Sequence, residues 1–250
     1  MGEPVKGKTE AGRRRAEHAR HRRQRVVDAA LRLFLERGYV ATTIEAIARE
    51  AAVAPATVYQ AFGTKQAILA RILDMTIAGD AGPAALLDRD WVKQASQYPD
   101  PRQRLALVVQ HTSQVAARTA PIKEVMRDAA AADPAVRQLL QDDDQRRYIT
   151  QQTLVDLVIG GDSLRAGCDR DHAAATFFAM VNSHCYQLLA GHLGWSPADW
   201  QQWLTSVLDR ELFGTSEPAS TRTAPQAPGE PASSAGVGQP GSQCAHYGPR

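Results

Sequence analysis

The sequence predicts an all-α protein in which an N-terminal three-helix unit of the helix-turn-helix type precedes a larger helical domain. Three observations support this fold class. Apolar residues recur at helical spacing through most of residues 22–213. Gly and Pro stand where successive apolar stripes stop and restart. The 250 residues are 44% hydrophobic, which is enough to build one or two domains with a buried core.

The N-terminal segment is strongly basic. Residues 1–25 carry nine Lys or Arg against three Glu, a balance of +6 in a chain whose net charge is +2. We predict a basic disordered arm over residues 1–21. Such an arm can neutralise DNA phosphates or enter a minor groove, and it can equally be a solvated tail, since charge runs usually are.

The first two helices of the N-terminal unit, residues 22–75, follow from their apolar stripes. Val27, Ala30, Leu31, Phe34 and Leu35 form one face of a first helix, which Gly38 ends as a left-handed cap. Thr42 stands three residues before Glu45, the spacing of a capping box. A short second helix should therefore begin there and bury Ile44, Ile47, Ala48 and Ala51.

A third helix begins at Pro55, because proline is tolerated at the first helical position. Val58 and Phe62 lie one turn apart and should face inward, which leaves Ala56, Thr57, Tyr59 and Gln60 outward. In a major groove, Thr can contact a thymine methyl and Gln can bond an adenine edge. Gly63 ends this helix and Thr64 caps a fourth, whose first turn places Lys65 near a phosphate.

Residues 76–213 predict a second helical domain. We expect helices over Arg102–Thr119, from Pro121 to Ala131, from Pro134 to Ile159, over 171–191 and over 197–212, with Gly160-Gly161-Asp162 as a break. Residues 214–250 should be a disordered tail, because residues 216–250 contain six Pro, five Gly and five Ser and almost no apolar surface.

Several function classes have no support in the sequence. There is no HExxH, GxSxG, Walker-type or GxGxxG motif, so we predict no catalytic residues and no cofactor. Cys168, Cys185 and Cys244 are far apart, and the Asp142-Asp143-Asp144 run should be a solvated helix face, so no metal site is predicted. No apolar run reaches 18 residues, which predicts a cytoplasmic protein without membrane partners.

One region of the chain resembles a known family. Ala29-Ala30-Leu31-Arg32-Leu33-Phe34-Leu35-Glu36-Arg37-Gly38-Tyr39, followed by Thr42-Thr43-Ile44, Ile47-Ala48, Val53, Thr57-Val58-Tyr59, Phe62 and Lys65, is similar to the DNA-binding domain of TetR-family transcriptional regulators. The resemblance covers roughly 50 residues. Two positions depart from the family pattern: Ala52 replaces the usual turn glycine, and Ala54 replaces a serine that often caps the third helix.

The resemblance implies a homodimeric repressor that leaves a palindromic DNA operator when a small-molecule effector binds. It implies DNA contacts by residues of the three-helix unit, namely Thr42, Thr43, Ala54, Ala56, Thr57, Tyr59, Gln60 and Lys65. Three plainer roles stay open: Tyr59 packing on the first helix, Thr43 acting only as a cap, and Lys65 as a free surface lysine. An activator, a ligand-independent regulator, or a helical enzyme or carrier with an appended helix-turn-helix are the alternative functions.

The family also implies roles for the second domain. Its last two helices would pair with those of a second copy through an apolar patch, predicted as Phe177, Phe178, Val181, Trp200, Leu204 and Leu208. An ordinary core within one chain is the alternative. The unidentified effector would enter a mostly apolar cavity, whose predicted lining is Trp91, His111, Met126, Tyr148, His184 and Cys185.

Overall fold

The computed structural model describes residues 10–79 and 89–214, and every regular element within these ranges is helical. The all-α class is therefore confirmed. The disordered tail predicted for 214–250 lies outside the described residues beyond Gly214, as do residues 1–9. The helices are α1 Glu10–Ala41, α2 Ile44–Glu50, α3 Pro55–Phe62, α4 Lys65–Ala78, α5 Asp90–Ala95, α6 Pro101–Ala130, α7 Pro134–Ile159, α8 Arg170–Met180, α9 Ser183–Tyr186 and α10 Pro197–Phe213.

The first helix begins much earlier than the sequence suggested. Residues 10–21, predicted as part of a disordered arm, continue α1 without a break. The arginines that suggested disorder are also good helix formers, and the packed half of the helix supplies the nucleus that extends toward Glu10. Gly38 interrupts α1 near the expected end with a φ of 77° and a ψ of 166°, a conformation in which other residues are strained, and a last short turn then runs to Ala41.

The three-helix unit is packed around the expected apolar residues and continues into the second domain. Phe34, Ile47 and Val58 are buried together with Ile68, Leu69, Ile72 and Leu73 of α4. Met126 of α6 and Val136 of α7 belong to the same core. The DNA-binding unit predicted at 22–75 thus shares its core with the helices that follow, so a movement of one alters the packing of the other.

Helices α6 and α7 form the long antiparallel pair of the second domain. Pro121 does not start a new helix as predicted but lies inside α6, exposed, between Ala120 and Ile122, which are both buried. α7 begins after Asp133 and ends at Ile159, before the left-handed cap Gly160, as predicted. Arg104 reaches across from α6 and donates from Nε to Val158 O at 2.8 Å, which satisfies one of the carbonyls left free at the end of α7.

The predicted helix over 171–191 is broken. α8 ends at Met180, Val181 takes a non-helical ψ of 72°, and Asn182 caps the short α9 by accepting hydrogen bonds from the backbone N–H groups of His184 and Cys185. A π-helical turn, Gln187–His192, then leads to α10. The apolar periodicity does not reveal this break, because asparagine caps by a local hydrogen bond that competes with the helix.

A second core explains why the predicted dimer residues do not face outward. Phe177, Val181, Trp200, Leu204 and Leu208 are at most 4% exposed and pack on α6 and α7 within the same chain. The remaining one, Phe178, is partly buried, with the Arg147 guanidinium 3.8 Å from its ring centre. Five of the six residues predicted for the dimer patch are therefore buried in the core of their own chain, since an apolar helical stripe has the same spacing whether it meets its own chain or a second copy.

Among the residues that the structure describes, no helix is long and apolar enough to cross a membrane.

Candidate nucleic-acid interface

The turn between α2 and α3 is held by backbone hydrogen bonds despite its missing glycine. Ala52 adopts a φ of 51°, in the left-handed region expected for the substituted turn glycine. Its N–H donates to Arg49 O at 3.1 Å, and the N–H of Val53 donates to Ala48 O at 3.0 Å. These two bonds form a Schellman motif, which satisfies carbonyls at the end of α2. The left-handed alanine costs about 1 kcal/mol relative to glycine.

Helix α3 presents a polar, narrow outer face. Val58 is 1% exposed and anchors the helix on the core, while Ala56, Tyr59 and Gln60 are exposed. Tyr59 is 50% exposed, so it does not pack away on α1. Thr57 is half-buried on the side facing α1. Ala54 precedes the helix without a side-chain cap, as its methyl group requires. The small Ala56 lets this face approach base edges in a major groove, where the Gln60 amide can form hydrogen bonds.

The two threonines before α2 have different roles. Thr43 is the N-cap: its exposed hydroxyl accepts from the N–H of Ala46 at 3.1 Å. The predicted capping box from Thr42 is therefore wrong by one residue. Thr42 itself is 1% exposed and donates its hydroxyl to Gly38 O at 2.8 Å. Its predicted DNA contact is wrong too, because that side chain closes the end of α1 and does not reach the surface.

Lys65 is held in place by the end of α1. Its Nζ donates to Tyr39 O at 2.8 Å and to Thr42 O at 2.9 Å, and lies 4.0 Å from the centre of the Tyr39 ring. Burial lowers the pKa of its ammonium group, and the charge of Asp133 partly opposes that shift. Lys65 is therefore not a free surface lysine, since two of its three N–H groups bind the backbone.

A polar cluster joins the three-helix unit to the second domain. Asp133, the N-cap of α7, accepts hydrogen bonds on Oδ2 from Tyr39 at 3.1 Å and from Gln66 at 2.9 Å. Burial works against the charged carboxylate, but hydrogen bonds from the Ala135 N–H, Gln66 and Tyr39 outweigh it and lower the pKa of Asp133. Burial raises the pKa of the Tyr39 hydroxyl, and the charge and the hydrogen bond of Asp133 raise it further.

A cavity of about 340 Å³ lies in the second domain beside α4. Asp74 and Ile77 of α4 line one wall, and side chains of α6, α7 and the break after α8 line the others. Most of the lining is apolar, through residues such as Val115 and Leu154. Its volume falls within the range of small-molecule sites, and its wall includes the helix that directly follows α3.

The charged lining of this cavity comes from α6 and α7. Lys123 and Asp143 form an ion pair in which both side chains are more than nine-tenths buried. Asp143 is therefore not part of a solvated face as predicted, although Asp142 and Asp144 are exposed. The partly buried Arg147 donates to Phe178 O at 2.8 Å, while its Nε has no partner within the described part of the chain.

None of the six residues predicted for the effector site lines this cavity. Trp91 and His111 stack on each other at 4.6 Å, and Met126 is fully buried in the first core. Tyr148 meets the edge of Phe178, His184 is exposed, and Cys185 lies against the Asn182 amide. The prediction favoured aromatic and sulfur side chains, whereas the observed polar lining consists of charged, hydroxyl and amide side chains. In the sequence these residues resemble an exposed helix face.

No group of three or more His, Cys, Asp or Glu side chains in residues 10–79 and 89–214 is arranged to hold a metal ion.

Comparisons with known proteins agree with this geometry. Residues 26–72 match the sequence profile of bacterial regulatory proteins of the TetR family. A segment of 48 residues is 52% identical to the HTH-type transcriptional regulator HbdR of Aromatoleum sp. (strain CIB). That alignment spans 19% of this chain and 21% of HbdR, so it leaves about four fifths of each protein unmatched.

Solved structures extend the likeness to most of the fold. NalD of Pseudomonas aeruginosa, the secondary repressor of the MexAB-OprM multidrug efflux pump, superposes with a TM-score of 0.61 at 19% identity, covering 79% of this chain and 98% of NalD. The regulator FadR of Bacillus subtilis, in complex with stearoyl-CoA, superposes with a TM-score of 0.57 at 19% identity, covering 77% of this chain and 98% of FadR. At these identities the comparison shows a shared fold.

Proposed function

We propose that this chain is a transcriptional repressor of the TetR family, which binds a palindromic DNA operator as a homodimer and is released by a small-molecule effector. The match of residues 26–72 to the TetR-family profile and the 52% identity to HbdR over 48 residues support this proposal. The matched family and relatives are regulators and not enzymes. A regulator of bacterial transcription works where the DNA is, so a cytoplasmic location is part of the same proposal.

The outer face of α3 carries the proposal for DNA binding. Gln60 is exposed near the middle of this face, opposite the buried Val58, and its amide can bond both N6 and N7 of an adenine. Thr57 offers a methyl group to a thymine from the side facing α1. Tyr59, on the other flank, is exposed and its hydroxyl can bond a phosphate, and the small Ala56 allows the backbone to approach closely.

Two further groups support the orientation of α3 on DNA. Thr43 lies at the exposed N-terminus of α2, where free backbone N–H groups favour a phosphate. Lys65 keeps a third N–H that can reach a neighbouring phosphate, while the other two fix the end of α1. Its phosphate contact is thus combined with a structural role that the sequence alone did not indicate.

The cavity beside α4 supports effector control. A ligand there touches Asp74 and Ile77, only one helix away from the DNA-reading face. It can release DNA only if it binds the DNA-competent and the DNA-incompetent arrangements with different affinity. An apolar wall with buried Lys123 and Asp143 at one side favours an effector with an apolar body and a polar group.

Exposed apolar side chains near the C-terminal end of the second domain support a homodimer. Leu193 is 68% exposed and Leu188 is 42% exposed in the segment before α10. Trp195 and Trp203, 5.9 Å apart, are only partly buried beside them. Large apolar residues exposed together are typical of protein interfaces, and a two-fold contact would hold two α3 helices at one fixed separation.

Binding to the intergenic DNA upstream of the protein's own gene tests this function. Fluorescence anisotropy should show tight, salt-sensitive binding that Gln60→Ala weakens by about 1–3 kcal/mol at one base pair per half-site. Gln141→Ala, an exposed glutamine on α7, is the matched control and should bind like the wild type. A uniform loss over all point-mutated operators would contradict base reading by Gln60.

In vitro transcription from the same promoter then separates repression from activation. The repressor proposal requires less transcript when the protein is added, and recovery of transcript when a compound from a metabolite library fills the cavity. More transcript would identify an activator. If compounds raise the thermal stability of the protein but none of them changes the amount of transcript, the protein is a ligand-independent regulator.

A further inference from the structure

The N-terminal part of α1 projects from the molecule as a basic helix. The first buried core residue is Val26, so residues 10–25 form sixteen helical residues ahead of the packed part. At about 1.5 Å per residue this extension is about 24 Å long. It carries seven arginines and two glutamates, and nearly all of its side chains are exposed.

The two glutamates of this extension lie on the side of the helix opposite Val26, whereas the charged residues on the side that Val26 shares are arginines alone. Arg23, Arg22 and Arg15 lie three, four and eleven positions before Val26, so they share its side of the helix, with Ala19 between them. Glu17 and Glu10 lie nine and sixteen positions before Val26, which places both on the opposite side. Glu10 is moreover paired with Arg14 at 2.6 Å.

The arginine face is continuous with the DNA-reading face of α3. Ala19, Arg22, Arg23 and Val26 form one wall of a surface groove of about 350 Å³, and Thr57, Gln60 and Ala61 form the other. Arg22 and Arg23 thus border the same depression as the residues proposed to read bases. Within residues 10–79 and 89–214, no carboxylate lies within ion-pair distance of Arg15, Arg22 or Arg23, so their charges face solvent uncompensated.

We propose that this extension of α1 is a second DNA-contacting element, which places Arg15, Arg22 and Arg23 on phosphates next to the bases met by α3. The inference rests on the proposed DNA binding and adds a surface to it. Closely spaced like charges on one helix face repel one another, and a polyanion removes that repulsion. A preformed helix also binds without the ordering entropy that a disordered arm would lose.

The partner is DNA and not a lipid surface, because residues 10–25 carry no large apolar side chain that could enter a membrane interface. The arginine face also opens into the groove beside Gln60 instead of lying on a separate side of the protein. Equal affinity of the full chain for anionic phosphatidylglycerol vesicles and for operator DNA at the same salt concentration would overturn this assignment.

The decisive experiment compares two double variants of the full chain. Arg22→Ala with Arg23→Ala removes charge from the groove side, and Arg13→Ala with Arg20→Ala removes the same charge from the outer side. Alanine preserves the helix in both, which circular dichroism checks. Operator affinity is measured by anisotropy from low to high salt, and phosphate protection by hydroxyl-radical footprinting.

We expect the groove-side variant to lower the slope of log affinity against log salt by about 0.9 for each lost contact, or about 3.6 for four arginines in a dimer. It should also lose protected positions next to the α3 site, whereas the outer-side variant keeps them. Equal changes in slope and footprint for the two variants would overturn the proposal. Failure of wild-type protein to bind the operator at all would instead reject the proposed function.

Discussion

Breaking the buried ion pair of the cavity should destabilise the protein strongly. Lys123→Met keeps most of the side-chain volume but removes the buried cation of Asp143, which is 5% exposed and then keeps only the exposed Arg146, at 3.8 Å. Removing one partner of a buried ion pair costs about 3–5 kcal/mol. With a denaturant dependence of about 2 kcal/mol per molar urea, the unfolding midpoint should fall by about 1.5–2.5 M.

An exposed pair and a double variant make this experiment specific. Lys93→Met breaks the pair with Asp90, whose side chains are 72% and 101% exposed, and should cost less than about 1 kcal/mol. Replacing both buried partners, Lys123→Met with Asp143→Leu, should recover most of the lost stability because no unpaired charge remains. A loss below about 1 kcal/mol for Lys123→Met, or additive losses in the double variant, would refute the reasoning.

Three further outcomes are expected. Lys65→Met should lower the free energy of unfolding by about 1–3 kcal/mol in urea titrations, because two backbone carbonyls lose a charged donor; an unchanged midpoint would leave Lys65 with its phosphate contact alone. Asp133 has a pKa below its usual 3.8, so its contribution to stability is present above that value and is lost as the pH falls through the folded pKa. Between about pH 5 and 2 the melting temperature of Asp133→Asn should therefore fall less than that of the wild type. Equal decreases in melting temperature would contradict this. Leu193→Asp should shift sedimentation velocity from dimer to monomer and weaken operator binding without lowering the melting temperature of the protomer, whereas a variant that remains dimeric would remove this surface from the interface.

The helix-turn-helix could be predicted from the sequence because its signals are local. Gly38, Pro55, Gly63 and Thr64 fix where helices start and stop through backbone geometry and capping, and each acts within a few residues. The inward position of Val58 then determines that Gln60 and Tyr59 face outward. These relations require no knowledge of the second domain.

Only the tertiary structure determined which partner each apolar helix face and each charged side chain contacts. Trp200 and Leu204 were assigned to a second copy but are buried in their own chain, because periodicity gives a face and not its partner. Asp143 was predicted to be solvated, but the packing of α6 on α7 places Lys123, twenty positions earlier in the sequence, within hydrogen-bond distance of it. The position of the cavity and the alignment of the arginine face with α3 likewise depend on how separate helices pack, which no local pattern encodes.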